Sequence, residues 1–255
     1  MRSVIPPLIL LFLCCSPEKQ QEVHPNRFLE SLRPASELGT LTRLTQDGRA
    51  LLPEFGSGDS IVFFEMLLVT DPETAAGRKT EDIIKPYGVD VANKELYTLS
   101  ADYRHPEEDT EEVSEEVSDV PHGVGETVTK TLRSPDGKTV AYETITGSNK
   151  DSHTLYLMQG DSVTQITYGD LPCFLDRFSN TGRYLSAVCG RGPTWIIIFD
   201  MRSGRGYRIE RVEDKLDYMT AFSSDDKMMA FIRSEKKYSM GLEFFGDIWL
   251  LKFGT

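Results

Sequence analysis

The densest group of potential ligand atoms in this sequence is the acidic run at residues 107–119, EEDTEEVSEEVSD, which holds eight carboxylates and no basic residue. Carboxylates suit Ca²⁺, but the run lacks the interleaved aspartates and the glycine of an EF-hand loop. His105 and His122 flank the run and could form a metal site with Glu107 or Asp119, although no short-range ligand spacing supports one. We therefore expect a solvated loop and no metal, with contact to a basic partner surface as the alternative.

The signatures of the common enzyme classes are missing from the sequence. It contains no Gly-x-Ser-x-Gly elbow, no His-Glu-x-x-His or Cys-x-x-Cys pair, and no phosphate-binding or dinucleotide-binding glycine loop. Ser224-x-x-Lys227 and Ser234-x-x-Lys237 match the serine–lysine motif of penicillin-binding enzymes, but its companion motifs are absent. We expect no catalytic residue and no cofactor.

Two cysteines in the body of the chain, Cys173 and Cys189, are candidates for a disulfide. If residues 180–182 form a three-residue hairpin loop closed by Ser179 opposite Arg183, the same register places the two cysteines directly opposite each other. A four-residue loop would shift the register by one and remove the argument. The alternative is two independent buried cysteines.

The N-terminus resembles an export signal. Arg2 precedes an apolar run of ten residues, 4–13, which is too short to span a bilayer, and Cys14 and Cys15 follow at once. This arrangement resembles a bacterial lipoprotein signal, which implies lipid attachment at Cys14 or Cys15 and a position on the periplasmic side of a membrane or at the cell surface. An ordinarily cleaved signal and an uncleaved anchor are the alternatives.

The overall charge argues against nucleic acid as a partner. The 255 residues carry a formal net charge of −12, whereas phosphate binding requires clustered lysine and arginine. Because the acidic run contributes eight of these negative charges, the rest of the chain carries only −4.

A short sequence unit recurs along the chain. A turn is followed by a basic or polar residue and then an apolar strand, and phenylalanine precedes the turn at Phe178 and Phe222, with Phe55 one place out of step. The four copies, the last aligned with Gly58 under Gly137, are SPDGKTVAY (134–142), SNTGRYLSA (179–187), SSDDKMMAF (223–231) and FGSGDSIVF (55–63).

The aspartates of this unit repeat, as catalytic acids can, but we expect structural roles for the turn residues. Asp136 and Asp225 are expected to cap their own turns by accepting hydrogen bonds from nearby backbone N–H groups. Gly137 and Gly182 provide the left-handed backbone conformation, and Asp226 stands at that position in another copy.

Further strands follow each turn. The second strand contains an aromatic residue, and two copies show a third; these segments are 154–158, 195–200, 247–251 and, more distantly, ELYTL at 95–99, followed by 162–167 and 206–210. Four short antiparallel strands in about 45 residues are typical of a β-propeller blade.

The combination SPDGKTVAY…LYLMQGDSVTQIT resembles the TolB-type propeller repeat, over roughly residues 40–253. The resemblance implies an all-β fold, a small β-propeller of about four blades, each a four-stranded antiparallel sheet. Such propellers mostly have six blades, so four visible repeats depart from the pattern. The segment 41–45, LTRLT, has no blade before it, and the last blade, 219–253, lacks a fourth strand. We expect these two to pair and close the ring; the alternative is an open ring completed by a partner or a second copy.

These observations predict a domain organisation. Residues 1–14 form a signal peptide, 15–40 a flexible tether, and 41–255 the propeller, with insertions at 71–93 and 101–125, the first with a short helix around 73–85.

The function expected from this organisation is an envelope-anchored binding module or scaffold that holds a protein or peptide on one face or at the channel mouth. We expect membrane contact only through the N-terminal lipid. Two alternatives stay open: an enzyme with an active site at the channel mouth, and a cell-surface adhesin that uses the acidic insertion.

Overall fold

The computed structural model describes residues 25–46, 48–67, 84–99, 120–123, 125–146, 153–168, 171–190, 194–210, 212, 215–235 and 245–254. The predicted signal peptide with Cys14 and Cys15, the acidic run and His105 lie outside the described residues, as does most of the predicted helix at 73–85. None of the described helices is long and apolar enough to cross a membrane.

The described strands form four sheets, numbered here I to IV in chain order. Sheet I contains β3 (Ala50–Phe55), β4 (Ile61–Leu67), β5 (Ile84–Asp90) and β6 (Leu96–Thr98), and sheet II contains β7 (Glu126–Arg133), β8 (Thr139–Thr146), β9 (His153–Gln159) and β10 (Ser162–Gln165). Sheet III contains β11 (Cys173–Phe178), β12 (Tyr184–Cys189), β13 (Trp195–Asp200), β14 (Arg205–Arg208) and β1 (Arg33–Pro34), and sheet IV contains β15 (Lys215–Phe222), β16 (Met228–Glu235), β17 (Asp247–Phe253) and β2 (Gly39–Arg43). The chain is therefore all-β with four-stranded antiparallel sheets, to which β1 adds a short parallel strand.

The middle strands of sheets II and III are covered on both faces. The first six residues of β8 are buried, as are all residues of β12 except Val188. A sheet with one solvated face would alternate buried and exposed residues, so this continuous burial means that neighbouring layers cover both sides.

Three apolar clusters fix the order in which the sheets pack. Ala141 and Leu155 of sheet II pack with Leu185 of sheet III. On the opposite face of sheet III, Ile196 and Ile198 pack with Phe231 of sheet IV. The other face of sheet IV contacts sheet I through residues that include Ile232, Leu250, Val62 and Phe64. The packed order is thus II–III–IV–I, and closure of this arc into a ring stays a prediction.

The remaining face of sheet II is covered by the segment that leads into it. Val120 is buried against Val140 and Tyr142, and the Tyr142 hydroxyl donates a hydrogen bond of 2.6 Å to the carbonyl oxygen of Pro121. Tyr142 also stacks on Tyr156, with 5.1 Å between ring centroids. Part of the predicted insertion 101–125 therefore belongs to the core.

The prediction of a flexible tether over 15–40 is wrong for its second half. Helix α1 (Pro25–Ser31) buries Phe28 in the cluster between sheets II and III, together with Leu32. The chain then pairs through β1 with β14, and it passes through a short 3₁₀ turn, Ala35–Glu37, into β2. A seven-residue helix held by two apolar side chains has no periodic pattern long enough to recognise.

The predicted pairing of the N-terminal strand with the last blade is present. Strand β2 lies antiparallel to β17, with Leu41 opposite Leu251. The Asp247 carboxylate accepts hydrogen bonds from the Arg43 guanidinium, at 2.5 Å, and from the Gly48 N–H, at 2.9 Å. The N-terminal strand thus provides the fourth strand of sheet IV.

The first repeat needs two corrections. The Gly56 N–H bonds to Ile61 O as the Ser134 N–H bonds to Thr139 O, so Asp59, not Gly58, stands at the position of Gly137. In this alignment Phe55 falls into step with Phe178 and Phe222. In addition, β5 occupies part of the predicted insertion 71–93, so ELYTL contains the last strand of sheet I, β6, and β5 takes the place that was predicted for it next to β4.

The predicted pairing of Cys173 with Cys189 is present, but the three-residue loop from which it was argued is wrong. The loop has four residues, because the Ser179 N–H donates to Tyr184 O. A β-bulge between Leu175 and Phe178 then restores the register, so that Cys173 lies directly opposite Cys189. The two sulfurs form a disulfide, with 4.0 Å between the Cα atoms.

Candidate functional site

Four hairpin turns, one between the first two strands of each sheet, have the same form. Each spans four residues and is closed by a backbone hydrogen bond between the flanking residues. They are called corners here: corner I (57–60), corner II (135–138), corner III (180–183) and corner IV (224–227).

The predicted turn residues lie within these corners. The Asp136 carboxylate accepts a hydrogen bond of 2.7 Å from Ser134 Oγ and one of 3.1 Å from the Lys138 N–H. The Ser134 hydroxyl, followed by the Lys138 N–H, holds the pKa of Asp136 below its usual value. Gly137 and Gly182 have φ of +72° and +76°, the left-handed conformation that glycine adopts without a steric penalty.

Asp225 caps corner IV in the same way. Its carboxylate accepts bonds of 3.0 Å from Ser223 Oγ and from the Lys227 N–H, and Lys227 Nζ lies 2.6 Å away. Hydrogen bonding to Lys227 lowers the pKa of Asp225 to about 2. Both carboxylates thus accept hydrogen bonds from their own turns, which is the capping role expected for Asp136 and Asp225.

Two other aspartates join neighbouring corners, a role that the sequence did not reveal. Asp226 has a φ of 55°, and its carboxylate accepts a bond of 2.6 Å from Ser179 Oγ and bonds from the N–H and hydroxyl of Thr181. Asp59, with a φ of 56°, accepts bonds of 2.9 Å and 2.6 Å from the N–H and hydroxyl of Ser224. Corner I is thereby fixed to corner IV, and corner IV to corner III.

The same junctions receive further contacts. Asn180 Nδ2 donates to the carbonyl oxygens of Phe222, at 3.1 Å, and Ser223, at 3.0 Å. A Cβ atom added to Gly182 would lie 3.3 Å from Pro135 of corner II, whereas one added to Gly137 would meet no atom within 4 Å. The corners therefore follow the order I–IV–III–II.

An open cavity of about 470 Å³ lies between corners I, III and IV. Ala221 and Phe222 of sheet IV line it together with residues of sheets I and III, which pack on opposite faces of sheet IV. The lining residues are Glu54, Phe55, Gly56, Ser57, Gly58, Asp59, Arg177, Phe178, Asn180, Ala221, Phe222 and Ser224. Its volume falls within the range of about 300–1,000 Å³ typical of ligand sites.

Equivalent repeat positions line this cavity. The closing position of a repeat is the residue directly before its corner, whose N–H donates the hydrogen bond that closes the turn. The residue before this position is Phe55, Phe178 or Phe222 in three repeats, and it is Arg133 in sheet II. Each phenylalanine packs into a different inter-sheet cluster. The rings are therefore held by the core, and what they present to the cavity is apolar.

The position one residue earlier carries a different side chain on each wall. It is Glu54 on sheet I, Ala221 on sheet IV and Arg177 on sheet III. Ala221 is the smallest of these side chains, and the equivalent residue of sheet II is Leu132. A comparison of the repeats, once aligned on the closing positions, would have been the sequence signal for this site.

Other polar groups are arranged for structure. Glu143 accepts hydrogen bonds from Thr129 Oγ1, at 2.7 Å, and from the Leu175 N–H, at 3.0 Å, and its carboxylate lies 2.7 Å from His153 Nδ1. The carboxylate stands between hydroxyl and imidazole, whereas in a nucleophilic triad the imidazole stands in the middle. His122 Nδ1 lies 3.0 Å from Val120 O. Within the described part of the chain, no group of three or more His, Cys, Asp or Glu side chains could hold a metal ion.

Comparison with known proteins gave structural likenesses only. No family model and no curated protein matches the sequence. TolB from Acinetobacter baumannii is similar at 13% identity and a TM-score of 0.34, over 88% of this chain and 52% of that one. A putative TolB from Agrobacterium tumefaciens has 12% identity and a TM-score of 0.35, over 79% and 73%. Oligogalacturonate lyase from Vibrio parahaemolyticus has 13% identity and a TM-score of 0.32, over 85% and 72%.

This chain therefore spans about half the length of the Acinetobacter TolB chain. It spans a quarter of a matched prolyl endopeptidase, at 11% identity and a TM-score of 0.35. The all-β architecture rests on the strand pairing of the chain itself.

Proposed function

We propose that this protein is a binding module that holds a protein or peptide at the cavity between corners I, III and IV. The observation that carries the proposal is the shared cavity, whose walls come from three different sheets. A ligand placed there contacts all three sheets at once, so binding depends on the whole arc and not on a single loop.

The walls of the cavity are rigid before any ligand arrives. Asp59 and Asp226 join the corners through hydrogen bonds to charged carboxylates, which are stronger than neutral ones. Phe222 is buried, and Phe55 and Phe178 are half-buried against the core. Preorganised walls reduce the ordering cost of binding, which favours recognition of another molecule.

The architecture we propose is a small β-propeller. Four sheets pack in the order II–III–IV–I, and their corners form one row. The N-terminal strand completes the last sheet, as expected of a ring in which the two ends of the chain share one blade. The position of the cavity then corresponds to the mouth of the central channel.

We further propose that the protein acts at the bacterial envelope as a lipoprotein. The apolar run 4–13 and the cysteines that follow support export and lipid attachment at Cys14 or Cys15. The Cys173–Cys189 disulfide suits an oxidising compartment outside the cytosol. The proposed partner is another envelope protein or a peptide, and we propose no enzymatic activity.

Photo-crosslinking in intact cells tests this function. Benzoylphenylalanine replaces the exposed Ser57 at the rim of the cavity in the full-length protein, and adducts are identified by mass spectrometry. We expect a specific envelope-protein adduct that disappears in the Ala221→Leu variant, which fills the cavity with the side chain found at the equivalent position of sheet II. Thr164→Leu, on the exposed strand β10, is the matched control and should leave the adduct unchanged.

Two results would contradict the proposal. The first is an adduct that persists when the cavity is filled. The second is an adduct that is lost when 107–119 alone is deleted, which would favour the adhesin alternative. The deletion must stop at residue 119, because Val120 and Pro121 cover the face of sheet II.

A further inference from the structure

The first described segment of the chain, residues 25–34, is called the clamp here, and few backbone contacts attach it to the sheets. Helix α1 has seven residues, with no acidic residue in its first turn and no basic residue in its last turn, so its ends lack the charges that favour a helix. A helix this short is not stable alone in water. Strand β1 adds only two residue pairs to the edge of β14. The clamp therefore depends on the side chains that pack beneath it.

Two buried side chains hold the clamp in place. Phe28 and Leu32 lie in the cluster between sheets II and III, with exposed fractions of 4% and 7%, and Leu29 is partly buried beside them. A Cβ atom added to Gly206 would lie 2.5 Å from Leu32 Cδ2, so Leu32 packs directly against the backbone of β14. The Phe28 ring contacts Tyr168 edge to face, with 6.3 Å between ring centroids. A small apolar patch thus carries the attachment of the whole clamp.

The chain is attached more firmly from Ala35 onward. Ala35 is buried in the cluster between sheets III and IV, and β2 makes five residue pairs with β17. Gly39 lies so close to β17 that an added Cβ atom would collide with the carbonyl oxygen of Lys252. The ion pair between Arg33 and Glu37, which joins the clamp to the next turn, is exposed on both sides and contributes little to stability. An opening that begins at α1 is therefore expected to end before Ala35, with sheet IV intact.

The clamp lies between the proposed lipid anchor and the four sheets. At most ten residues, 15–24, separate the attachment cysteine from α1, and ten residues span at most about 36 Å in any conformation. Release of the ten clamp residues raises this limit to about 72 Å. A pull between the anchor and a partner held at the cavity reaches α1 before any sheet, because α1 precedes all of the strands in the chain.

We propose that the clamp is a reversible extension of the tether: it opens while the four sheets stay folded, and it about doubles the distance from the membrane at which the cavity can hold a partner. The inference rests on the proposed lipid anchor and on the proposed binding at the cavity. A partner that lies beyond the reach of the closed form is bound by the open form only, so its binding shifts the population toward the open form. The burial of Phe28 and Leu32 determines how readily the clamp opens.

Hydrogen exchange followed by mass spectrometry measures the opening. In the full-length protein the protected amides of α1 and β1 should exchange at least about tenfold faster than those of β12 and β17, because the clamp opens without the sheets. Leu32→Ala removes a buried contact and should speed exchange in the clamp by a further factor of about ten or more. Glu30→Ala, at an exposed position of the same helix, is the matched control and should change this rate by no more than about twofold.

Force spectroscopy measures the length that the opening adds. A chain that begins at residue 16 contains every described residue, and it is pulled between its N-terminus and a handle at the exposed Ser57. We expect a reversible first step of roughly 30 Å, about the length of the ten clamp residues, before any sheet unfolds. The same step should occur at a lower force in Leu32→Ala and at the original force in Glu30→Ala.

Three results would overturn the inference: exchange in the clamp that is as slow as in β12, a first step whose length shows that a sheet has unfolded, and a mature N-terminus without lipid. The exchange and force measurements need neither partner nor membrane, so their failure contradicts the opening of the clamp alone. An adduct at Ser57 that persists in Ala221→Leu contradicts the binding function and leaves the measured opening unaffected.

Discussion

At the residue scale, the main device of this protein is an aspartate at a position that usually requires glycine. A left-handed conformation costs most L-residues about 1–2 kcal/mol, and aspartate tolerates it better than most. In Asp59 and Asp226 the same conformation directs the carboxylate at the next corner. The sequence showed Asp226 as a tolerated turn residue, but its bond to Ser179 joins residues 47 positions apart and leaves no local signal.

Replacement of Asp226 by glycine should separate these two roles. Asp226→Gly keeps the backbone conformation and removes the bonds to Ser179 and Thr181. Because the hydroxyl and N–H donors then lose a buried charged acceptor, we expect the free energy of unfolding to fall by about 1–3 kcal/mol. Urea unfolding measures the difference. Gly137→Asp is the matched control, since a Cβ atom at this position meets no described atom within 4 Å, and it should destabilise slightly because aspartate adopts the left-handed conformation less readily than glycine. Equal stability of Asp226→Gly and the original protein would show that the junction contributes nothing.

At the element scale, the hairpin is the unit that could be recognised from the sequence, because turn chemistry and apolar alternation are local. The β-bulge in β11 could not be recognised in this way. It lies beside Leu175, whose N–H donates to Glu143 of the neighbouring sheet, so its position depends on a contact between sheets. The loop was expected to be one residue shorter and the strand to have no bulge. The two errors cancelled at Cys173. The cavity residue Glu54 was missed because the first repeat was aligned one residue out of step.

The disulfide should stabilise the β11–β12 hairpin without affecting the cavity. It closes a loop with a sequence separation of 16 residues, for which chain entropy gives about 3 kcal/mol. The bridge lies at the end of the hairpin away from corner III. We expect reductant to lower the free energy of unfolding by about 2–3 kcal/mol, and the double variant Cys173→Ala with Cys189→Ala to be as stable with reductant as without it. The crosslink formed at Ser57 should stay the same in this double variant, and its loss would show that the two ends of the hairpin are coupled.

At the scale of the whole molecule, the N-terminal segment contacts all four sheets, since Leu44 packs in the cluster between sheets IV and I. Phe28 and Leu32 pack between sheets II and III, β1 extends sheet III, and β2 completes sheet IV. The repeats could be found by comparison within the chain, whereas this segment occurs once and has no internal copy for comparison. The four sheets come from repeats, whereas the N-terminal segment that contacts them does not repeat. The stability of the protein should therefore depend on this segment.

Two truncations test that dependence. Removal of residues 1–24 leaves every described contact in place, so this variant should be a monomer with an unchanged Tm. Removal of residues 1–46 exposes the edge of β17 and loses Phe28 and Leu32. The burial of these two side chains contributes about 3–6 kcal/mol, which corresponds to a decrease in Tm of about 6–24 °C for a chain of this size. An uncovered strand edge also pairs readily with another chain, so we expect oligomers in light scattering coupled to size-exclusion chromatography. A longer truncation that stays monomeric and melts at the original temperature would mean that the sheets hold together without the N-terminal strand, and the proposed closure would be wrong.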